Sequence, residues 1–316
     1  MNDQVHHPIV CLMGPTASGK TNLAVNLVQH FPFEIISVDS AMVYRGMSIG
    51  TAKPDAETLK SAPHHLIDIR DPAEPYSAAQ FREDALHEID KIIARKKIPL
   101  LVGGTMLYFR ALQQGLSDLP SADPILRAKL NAEGEQLGWA ALHKRLEEID
   151  PIAAQRIHPN DAQRIQRALE VFELTGRNLS TWLLENPSLP DTFQMINIAI
   201  APHDRSVLHE RIAIRFDKML SEGFIEEVKQ LFYRGDLNLD MPSIRSVGYR
   251  QAWDYFRGNL TYDQMREKGV IATRQLAKRQ LTWLRSWPEI TWFDGESKDL
   301  YSAVVHYLIS MNIISH

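Results

Sequence analysis

Residues 9–21 of the chain read IVCLMGPTASGKT, five apolar residues that run directly into a glycine-rich turn. The turn has the pattern Gly-x-x-x-x-Gly-Lys-Thr, which is typical of a phosphate-binding loop (P-loop) between a strand and a helix. Glycines let backbone N–H groups turn toward phosphate oxygens, and the lysine adds a mobile positive charge. We therefore expect a bound di- or triphosphate, and the Thr21 hydroxyl can bind either a phosphate oxygen or Mg²⁺. The predicted contacts are Gly14, Pro15, Thr16, Ala17, Ser18, Gly19, Lys20 and Thr21.

The segments around this loop alternate between strand-like and helix-like patterns. The strand-like runs are Ile9–Gly14, Glu34–Asp39, His65–Ile69, Pro99–Gly104 and Met195–Ala201, and the helix-like segments include Lys20–His30 and Ser77–Arg95. Strands that alternate with helices form parallel sheets covered by helices. The expected fold class is therefore α/β, a P-loop NTPase-like, doubly wound parallel sheet.

Near residue 117 the pattern changes from alternating strands and helices to helices alone, which predicts a second domain. Residues 117–189 are helix-like without a convincing strand, and they end in a second proline-rich linker at 186–190. We expect residues 1–116 and 190–316 to form the catalytic core with carboxyl-terminal helices. Residues 117–189 would then form an all-helical insertion domain.

The composition excludes several classes of protein. Lys and Arg number 35 against 39 Asp and Glu, so the formal net charge of -4 gives no global attraction to nucleic acid. The single cysteine, Cys11, excludes an internal disulfide and a multi-cysteine zinc site. No apolar run approaches the roughly 18 residues of a membrane span, and the amino terminus lacks the pattern of a signal peptide. We expect a cytoplasmic protein with no membrane partner, and a monomer by default.

Polar residues end two other predicted strands at the same edge of the sheet. Asp39 ends the strand 34–39, and Thr105 follows Gly103 and Gly104. In a doubly wound sheet these strand ends share a crevice with the phosphate-binding loop. Asp39 is then either a magnesium ligand or a base, and Thr105 either caps a helix or contacts substrate. A P-loop kinase and a nucleotide-dependent, ATP-binding RNA switch without chemistry both stay open as alternatives.

Several segments in chain order resemble the tRNA dimethylallyltransferase family. They are GPTASGKT at 14–21, SVDSAMVYRGM at 37–47, GTAKP at 50–54, HLID at 65–68, LVGGTMLY at 101–108, DAQR at 161–164, SIRSVGYR at 243–250 and RQLAKRQLTW at 274–283. They span most of the chain, so the resemblance is far more specific than the P-loop alone. With only Cys11 and an end at His316, the chain resembles the shorter bacterial form, which has no carboxyl-terminal zinc finger.

The resemblance implies an activity and a set of site residues. The family transfers a dimethylallyl group from dimethylallyl diphosphate to N6 of the adenosine on the 3′ side of the anticodon, chiefly in tRNAs that read codons beginning with U. Carried over, Asp39 becomes the general base, Lys20 and Thr21 become catalytic, and Arg215 joins the diphosphate contacts. The implied contacts to the tRNA anticodon stem-loop are Asp39, Ser40, Ala41, Met42, Thr105, Arg127, Gln163, Arg164, Ile165, Gln166, Arg167, Arg245, Ser246, Val247, Gly248, Tyr249, Arg250, Lys278, Arg279, Gln280, Leu281, Thr282, Trp283, Leu284 and Arg285.

The basic segment that begins at Arg274 also allows a prediction from helical geometry. On a helical wheel, Arg274, Lys278 and Arg285 share one face, whereas Leu276, Trp283 and Trp287 lie on the opposite face. We expect the basic face to meet RNA phosphates and the aromatic face to pack. A solvated surface is the alternative for the basic face.

Overall fold

A computed structural model of the protein describes residues 6–115, 119–120, 122–184, 189 and 192–315. The strands are β1 (His7–Met13), β2 (Phe33–Val38), β3 (His64–His65), β4 (Ile98–Gly103), β5 (Phe193–Ala201) and β6 (Ile290–Asp294). The helices are α1 (Lys20–His30), α2 (Ala56–Ser61), α3 (Ala78–Ala94), α4 (Met106–Gln114), α5 (Pro124–Leu137), α6 (Trp139–Ile149), α7 (Pro151–Arg156), α8 (Ala162–Thr175), α9 (Leu179–Leu184), α10 (Arg205–Ser221), α11 (Phe224–Phe232), α12 (Tyr249–Phe256), α13 (Tyr262–Arg285) and α14 (Leu300–Ser310).

The chain divides into two compact units. The first comprises Met1–Leu112 with Pro190–His316, and the second comprises Gln113–Leu189. The predicted domain junctions involve residues 116, 117, 186–188 and 190, which lie outside the described residues. Among the described helices, none is both long and apolar enough to cross a bilayer.

The first unit contains one six-stranded sheet in the order β3-β2-β4-β1-β5-β6. Every pairing is parallel, and Leu12 of β1 lies opposite Val102 of β4 on one side and Ile198 of β5 on the other. The expected α/β class with a parallel sheet is confirmed. Because β1 is an interior strand, the loop that follows it leaves the sheet between the ends of its neighbours, which is where parallel sheets place ligands.

Both faces of the sheet are buried. On one face Val10 and Leu12 pack with Leu23 and Leu27 of α1 and with Leu308 of α14. Side chains alternate along a strand, so Ile9, Cys11 and Met13 point to the opposite face, and they too are completely buried. Each such side chain stabilises the fold by about 1.5–3 kcal/mol relative to exposure. This burial fixes β1, and hence the loop after it, in the middle of the sheet.

Two predictions about strands were wrong. The run His65–Ile69 pairs only at His64–His65, because positive φ angles at Leu66 (62°) and Asp68 (54°) turn the backbone away from β2. The N–H groups of Ile69 and Arg70 then donate to the carbonyl of Val43. The short edge strand β6 falls in a region that was expected to be helical. Its burial does not alternate, so it carries no period-two signal.

Among its described residues, the second unit contains the helices α5 to α9 and no strand. Its core is a cluster that includes Leu130, Leu142, Leu146, Ile165 and Leu169. Aspartates cap three of its helices through bonds to backbone N–H groups, and two of those helices begin with proline. The caps are Asp123 for α5, Asp150 for α7 and Asp161 for α8.

Candidate active site

The phosphate-binding loop follows β1 and leads into α1. Gly14 has no room for a side chain, since an added Cβ would lie 2.4 Å from the carbonyl oxygen of Ile200. Gly19, with a φ of 93°, precedes the helix and no side chain caps its first turn. The N–H groups at the start of α1 are therefore available to an anion, and the helix dipole favours one there.

Lys20 folds back over this loop. Its Nζ donates to the carbonyl of Pro15 at 2.8 Å and lies 3.5 Å from Ser18 Oγ. Burial and, to a smaller extent, the nearby charge of Arg215 lower the pKa of Lys20 to about 7, although the charge of Asp39 opposes the shift. Burial also lowers the pKa of Arg215, and Asp39 again opposes this. The three side chains therefore share one electrostatic environment that an anion would stabilise.

Asp39 lies immediately after β2, at the same edge of the sheet. Its Oδ1 accepts hydrogen bonds from the N–H groups of Ala41 (2.8 Å) and Met42 (3.2 Å), so the carboxylate has a fixed orientation. Its Oδ2 accepts no hydrogen bond from the part of the chain that the structure describes. One carboxylate oxygen is thus left for a substrate or a metal ion.

Thr105 connects the ends of β4 and β2. Its Oγ1 accepts from the N–H of Ser40 at 3.1 Å, and its N–H donates to the carbonyl of Val38 at 3.2 Å. Gly103 makes this approach possible, since an added Cβ would lie 2.0 Å from Val38 O. The hydroxyl therefore binds the Ser40 backbone beside Asp39.

Gln280 of α13 links the phosphate-binding loop to the end of β4. Its Oε1 accepts from Thr16 N, and its Nε2 donates to Gly104 O, both at 2.9 Å. The side chain is buried, and a Cβ on Gly104 would lie 2.4 Å from that Nε2. The prediction that Gln280 contacts RNA stays a prediction, and in the structure both ends of its side-chain amide bind backbone atoms of the protein. No local pattern could have revealed this, because the partners are 264 and 176 positions away in the chain.

One cavity of about 540 Å³ joins these groups, and all its lining residues belong to the first unit. An apolar wall of Ile212, Phe216, Met219, Phe224 and Tyr249 lies within it. The predicted site residues that line it are Thr16, Lys20, Thr21, Asp39, Ser40, Ala41, Met42, Thr105, Arg215, Arg245, Ser246, Val247, Gly248, Tyr249, Arg279, Gln280 and Trp283. The cavity therefore brings together four of the predicted diphosphate contacts and much of the predicted RNA surface. The other predicted diphosphate contacts, Gly14, Pro15, Ala17, Ser18 and Gly19, do not line it.

Helix α13 turns a different face to the cavity than the helical wheel predicted. Leu276, Arg279 and Trp283 line the cavity, so the prediction that Leu276 and Trp283 pack away was wrong. Lys278 and Arg285 are exposed outside it, and Arg274 Nη2 lies 3.5 Å from the carbonyl of His209. Of the remaining predicted residues, Arg250 and Thr282 are exposed outside the cavity, and Leu281 and Leu284 are buried. Trp287 is buried as expected.

In the helical unit, the buried carboxylate of Glu170 binds two arginines that were predicted to contact RNA. Arg127 donates to Glu170 through Nε (2.8 Å) and Nη2 (3.0 Å), and Arg167 Nη1 donates to Glu170 Oε2 at 2.6 Å. These bonds lower the pKa of Glu170 although burial alone would raise it. The other predicted residues here differ in exposure. Ile165 is buried, Gln166 donates to Arg127 O and Asn131 Oδ1, and Gln163 and Arg164 are exposed.

The chain matches known proteins along nearly its whole length. A family model described as IPP transferase matches residues 42–287. A tRNA dimethylallyltransferase of Coxiella burnetii (strain Dugway 5J108-111) is 61% identical over 302 residues, which cover 95% of this chain and 96% of that protein. A tRNA isopentenylpyrophosphate transferase from Bacillus halodurans has a crystal structure with a TM-score of 0.71 and 40% identity, covering 97% of each chain. A eukaryotic dimethylallyltransferase acting on tRNA has a TM-score of 0.79 and 26% identity, covering 97% of this chain and 79% of its own. The chain therefore belongs to the IPP transferase family, the family of the tRNA dimethylallyltransferases.

Proposed function

We propose that this transferase moves a dimethylallyl group from dimethylallyl diphosphate to N6 of the adenosine on the 3′ side of the anticodon. The substrates would be tRNAs that read codons beginning with U. One observation carries the proposal: a cationic phosphate cradle and a carboxylate with an unused oxygen open into the same cavity of about 540 Å³. We place this reaction in the cytoplasm and assign it to a monomer.

On the donor side, the cradle stabilises a leaving group. Breaking the bond between carbon and oxygen places negative charge on the departing diphosphate. The N–H groups at the start of α1, together with Lys20 and Arg215, lie where they can stabilise this charge. A bound anion favours the charged form of Lys20, so binding of the donor also restores the proton that burial disfavours.

On the acceptor side, Asp39 accepts the proton that the amine loses. The N6 lone pair is delocalised into the purine ring, so the amine gains from a carboxylate aligned with its proton. In the balanced step, a bond forms between N6 and the allylic carbon, the bond from that carbon to diphosphate breaks, and one N6 proton passes to Asp39. Two backbone N–H groups hold Asp39 Oδ1, which leaves Oδ2 for this role.

Mg²⁺ fits the oxygen chemistry of this site. The described residues contain no group of three His, Cys, Asp or Glu side chains that could hold a metal by themselves. The Thr21 hydroxyl lines the cavity, and Mg²⁺ commonly takes one or two protein oxygens with substrate phosphates and waters. When bound there, Mg²⁺ would neutralise part of the charge of the leaving diphosphate.

On the RNA side, the cavity wall suits an extruded base. Ser40 to Met42, Arg245 to Gly248, Arg279 and Trp283 all line it, and Trp283 lies under the guanidinium of Arg110 at 5.8 Å. A base must leave its stack to reach a buried site, which costs a few kcal/mol and is easiest in a single-stranded loop. The anticodon loop supplies such a base.

The direct test uses the protein with Mg²⁺, labelled dimethylallyl diphosphate and unmodified tRNA, followed by digestion and mass analysis of the nucleosides. The expected product carries the label on N6 of the adenosine beside the anticodon. Label on any other atom would contradict the proposal. Phosphate release from ATP in a parallel reaction without the prenyl donor would favour a kinase or a nucleotide-dependent switch.

A further inference from the structure

Glu227 of α11 binds a backbone turn and an aromatic side chain far away in the sequence. Its Oε2 accepts from the N–H groups of Ser48 and Ile49, both at 2.7 Å. Its Oε1 accepts from Gly50 N at 3.1 Å and from the hydroxyl of Tyr249 at 2.5 Å. The sequence predicted no role for Glu227, because these donors lie between 22 and 179 positions away.

The groups that Glu227 holds form part of the cavity wall, although Glu227 itself does not line the cavity. Gly50 and Tyr249 both line it, together with Phe224 from the helix that carries Glu227. The turn packs tightly on these rings, since a Cβ on Gly50 would lie 2.3 Å from Phe224 Cε2 and 2.7 Å from the Tyr249 ring. The Phe224 and Tyr249 rings meet edge to face, with centroids 5.2 Å apart.

Glu227 also accepts hydrogen bonds from the polar groups of this wall. The N–H groups of residues 48–50 and the Tyr249 hydroxyl all donate to its carboxylate, and the neighbouring Thr51 hydroxyl donates to Met47 O at 2.7 Å. The proximity of this carboxylate and burial together raise the pKa of Tyr249, so its hydroxyl stays protonated as a donor. Because these N–H and hydroxyl groups already donate to Glu227 and Met47, we infer that the wall exposes mainly carbon atoms to the cavity.

A surface of this kind suits a hydrocarbon and not a base, because a buried purine edge needs polar partners. We propose that Glu227 is a positioning residue that holds the 48–50 turn and the Tyr249 ring as an apolar wall for the hydrocarbon part of the prenyl donor. The proposal rests on the dimethylallyl donor proposed above. Glu227 acts through the groups it orders and touches no reacting atom.

Removing the carboxylate should weaken binding of the donor's hydrocarbon part without changing binding of its diphosphate part. Three backbone N–H groups and one hydroxyl lose their acceptor, so the turn must be ordered again whenever the hydrocarbon binds, which lowers the apparent affinity. Inorganic diphosphate has no hydrocarbon and binds at the phosphate-binding loop, which Glu227 does not contact. Its affinity should therefore stay the same.

The test compares Glu227→Gln and Glu227→Ala with the wild-type enzyme, and Glu226→Ala serves as the matched control. Glu226 is the exposed neighbour on the same helix, and its carboxylate pairs with Lys229 at 3.4 Å. For Glu227→Ala we expect the KM for dimethylallyl diphosphate to rise at least about 10-fold, with kcat and the inhibition constant of inorganic diphosphate within about 3-fold. Glu227→Gln, which keeps one acceptor oxygen, should show a smaller rise in the same KM. Glu226→Ala should match the wild type.

Three outcomes would overturn the proposal. An equal rise in the inhibition constant of inorganic diphosphate would place the defect at the phosphate-binding loop. A fall in kcat alone, in proportion to the folded fraction, would show a purely structural role. A rise confined to the KM for tRNA would assign the wall to the base. If the wild-type enzyme transfers no label from dimethylallyl diphosphate, the proposed donor itself is wrong, and this failure is distinct from the other three.

Discussion

The buried position of Lys20 makes diphosphate binding depend on pH. Burial lowers the pKa of Lys20 from 10.5 to about 7 in the free protein. A diphosphate binds the ammonium form, so its apparent affinity should follow the fraction of Lys20 that is protonated. That fraction falls from about 90% at pH 6 to about 1% at pH 9, which predicts a loss of affinity of about 100-fold over this range.

The direction of this pH dependence follows from the linkage between proton binding and diphosphate binding. The anion raises the pKa of Lys20, so the lysine takes up protons when the anion binds, and its contribution to binding must weaken as the pH rises. Isothermal titration of inorganic diphosphate at several pH values measures the affinity. At pH 7, repeating the titration in buffers of different ionisation enthalpy should reveal that the wild type takes up about half a proton more per complex than Lys20→Arg.

Lys20→Arg is the matched control, because a guanidinium stays charged throughout this range. Both proteins experience the same ionisation of the diphosphate, so the difference between their curves belongs to the lysine. Wild-type and Lys20→Arg affinities that run parallel from pH 6 to pH 9 would refute the reasoning, since they would show that Lys20 does not titrate there.

Four further substitutions test single contacts. Asp39→Ala should lower turnover at least about 100-fold in single-turnover assays while the affinity for the donor is largely kept, because it removes the base and leaves the diphosphate contacts Lys20 and Arg215 in place. Gln280→Ala leaves Thr16 N and Gly104 O without a partner and should weaken diphosphate binding about 10-fold by calorimetry, whereas the exposed Gln275→Ala on the same helix should not. Glu170→Ala should lower the free energy of unfolding in urea by about 1–3 kcal/mol, with the exposed Glu148→Ala as control. Arg279→Ala should reduce the salt slope of tRNA binding by about one unit, whereas an equal change for Lys278→Ala would contradict the orientation of α13.

The sheet and the glycine-rich loop after β1 were predictable because their signals are local. Residues 9–21 alone identify β1 and the loop, and the alternation of strand-like with helix-like runs predicts the parallel sheet. The position of Asp39 at the end of the next strand follows from the rule that parallel strand ends meet at one edge. In each case the residues that give the signal are neighbours in the sequence.

The contacts that complete the site could not be predicted in this way. Gln280, Glu227 and Glu170 each join segments that are between 43 and 264 positions apart for their key bonds. Nothing in their immediate sequence distinguishes them from exposed polar residues. The helical wheel of α13 failed for another reason: it assumed that Trp283 would pack, whereas tryptophan also lines cavities, where part of its ring stays accessible.

The burial of Cys11 in the middle of the sheet gives the protein an internal reporter. It is the single cysteine of the chain, and none of its surface is accessible. A thiol reagent can modify it only when β1 separates from its neighbours, so the labelling rate follows the opening of the central strand. Comparing that rate with and without diphosphate would measure how strongly the ligand holds the strand that leads into its own binding loop.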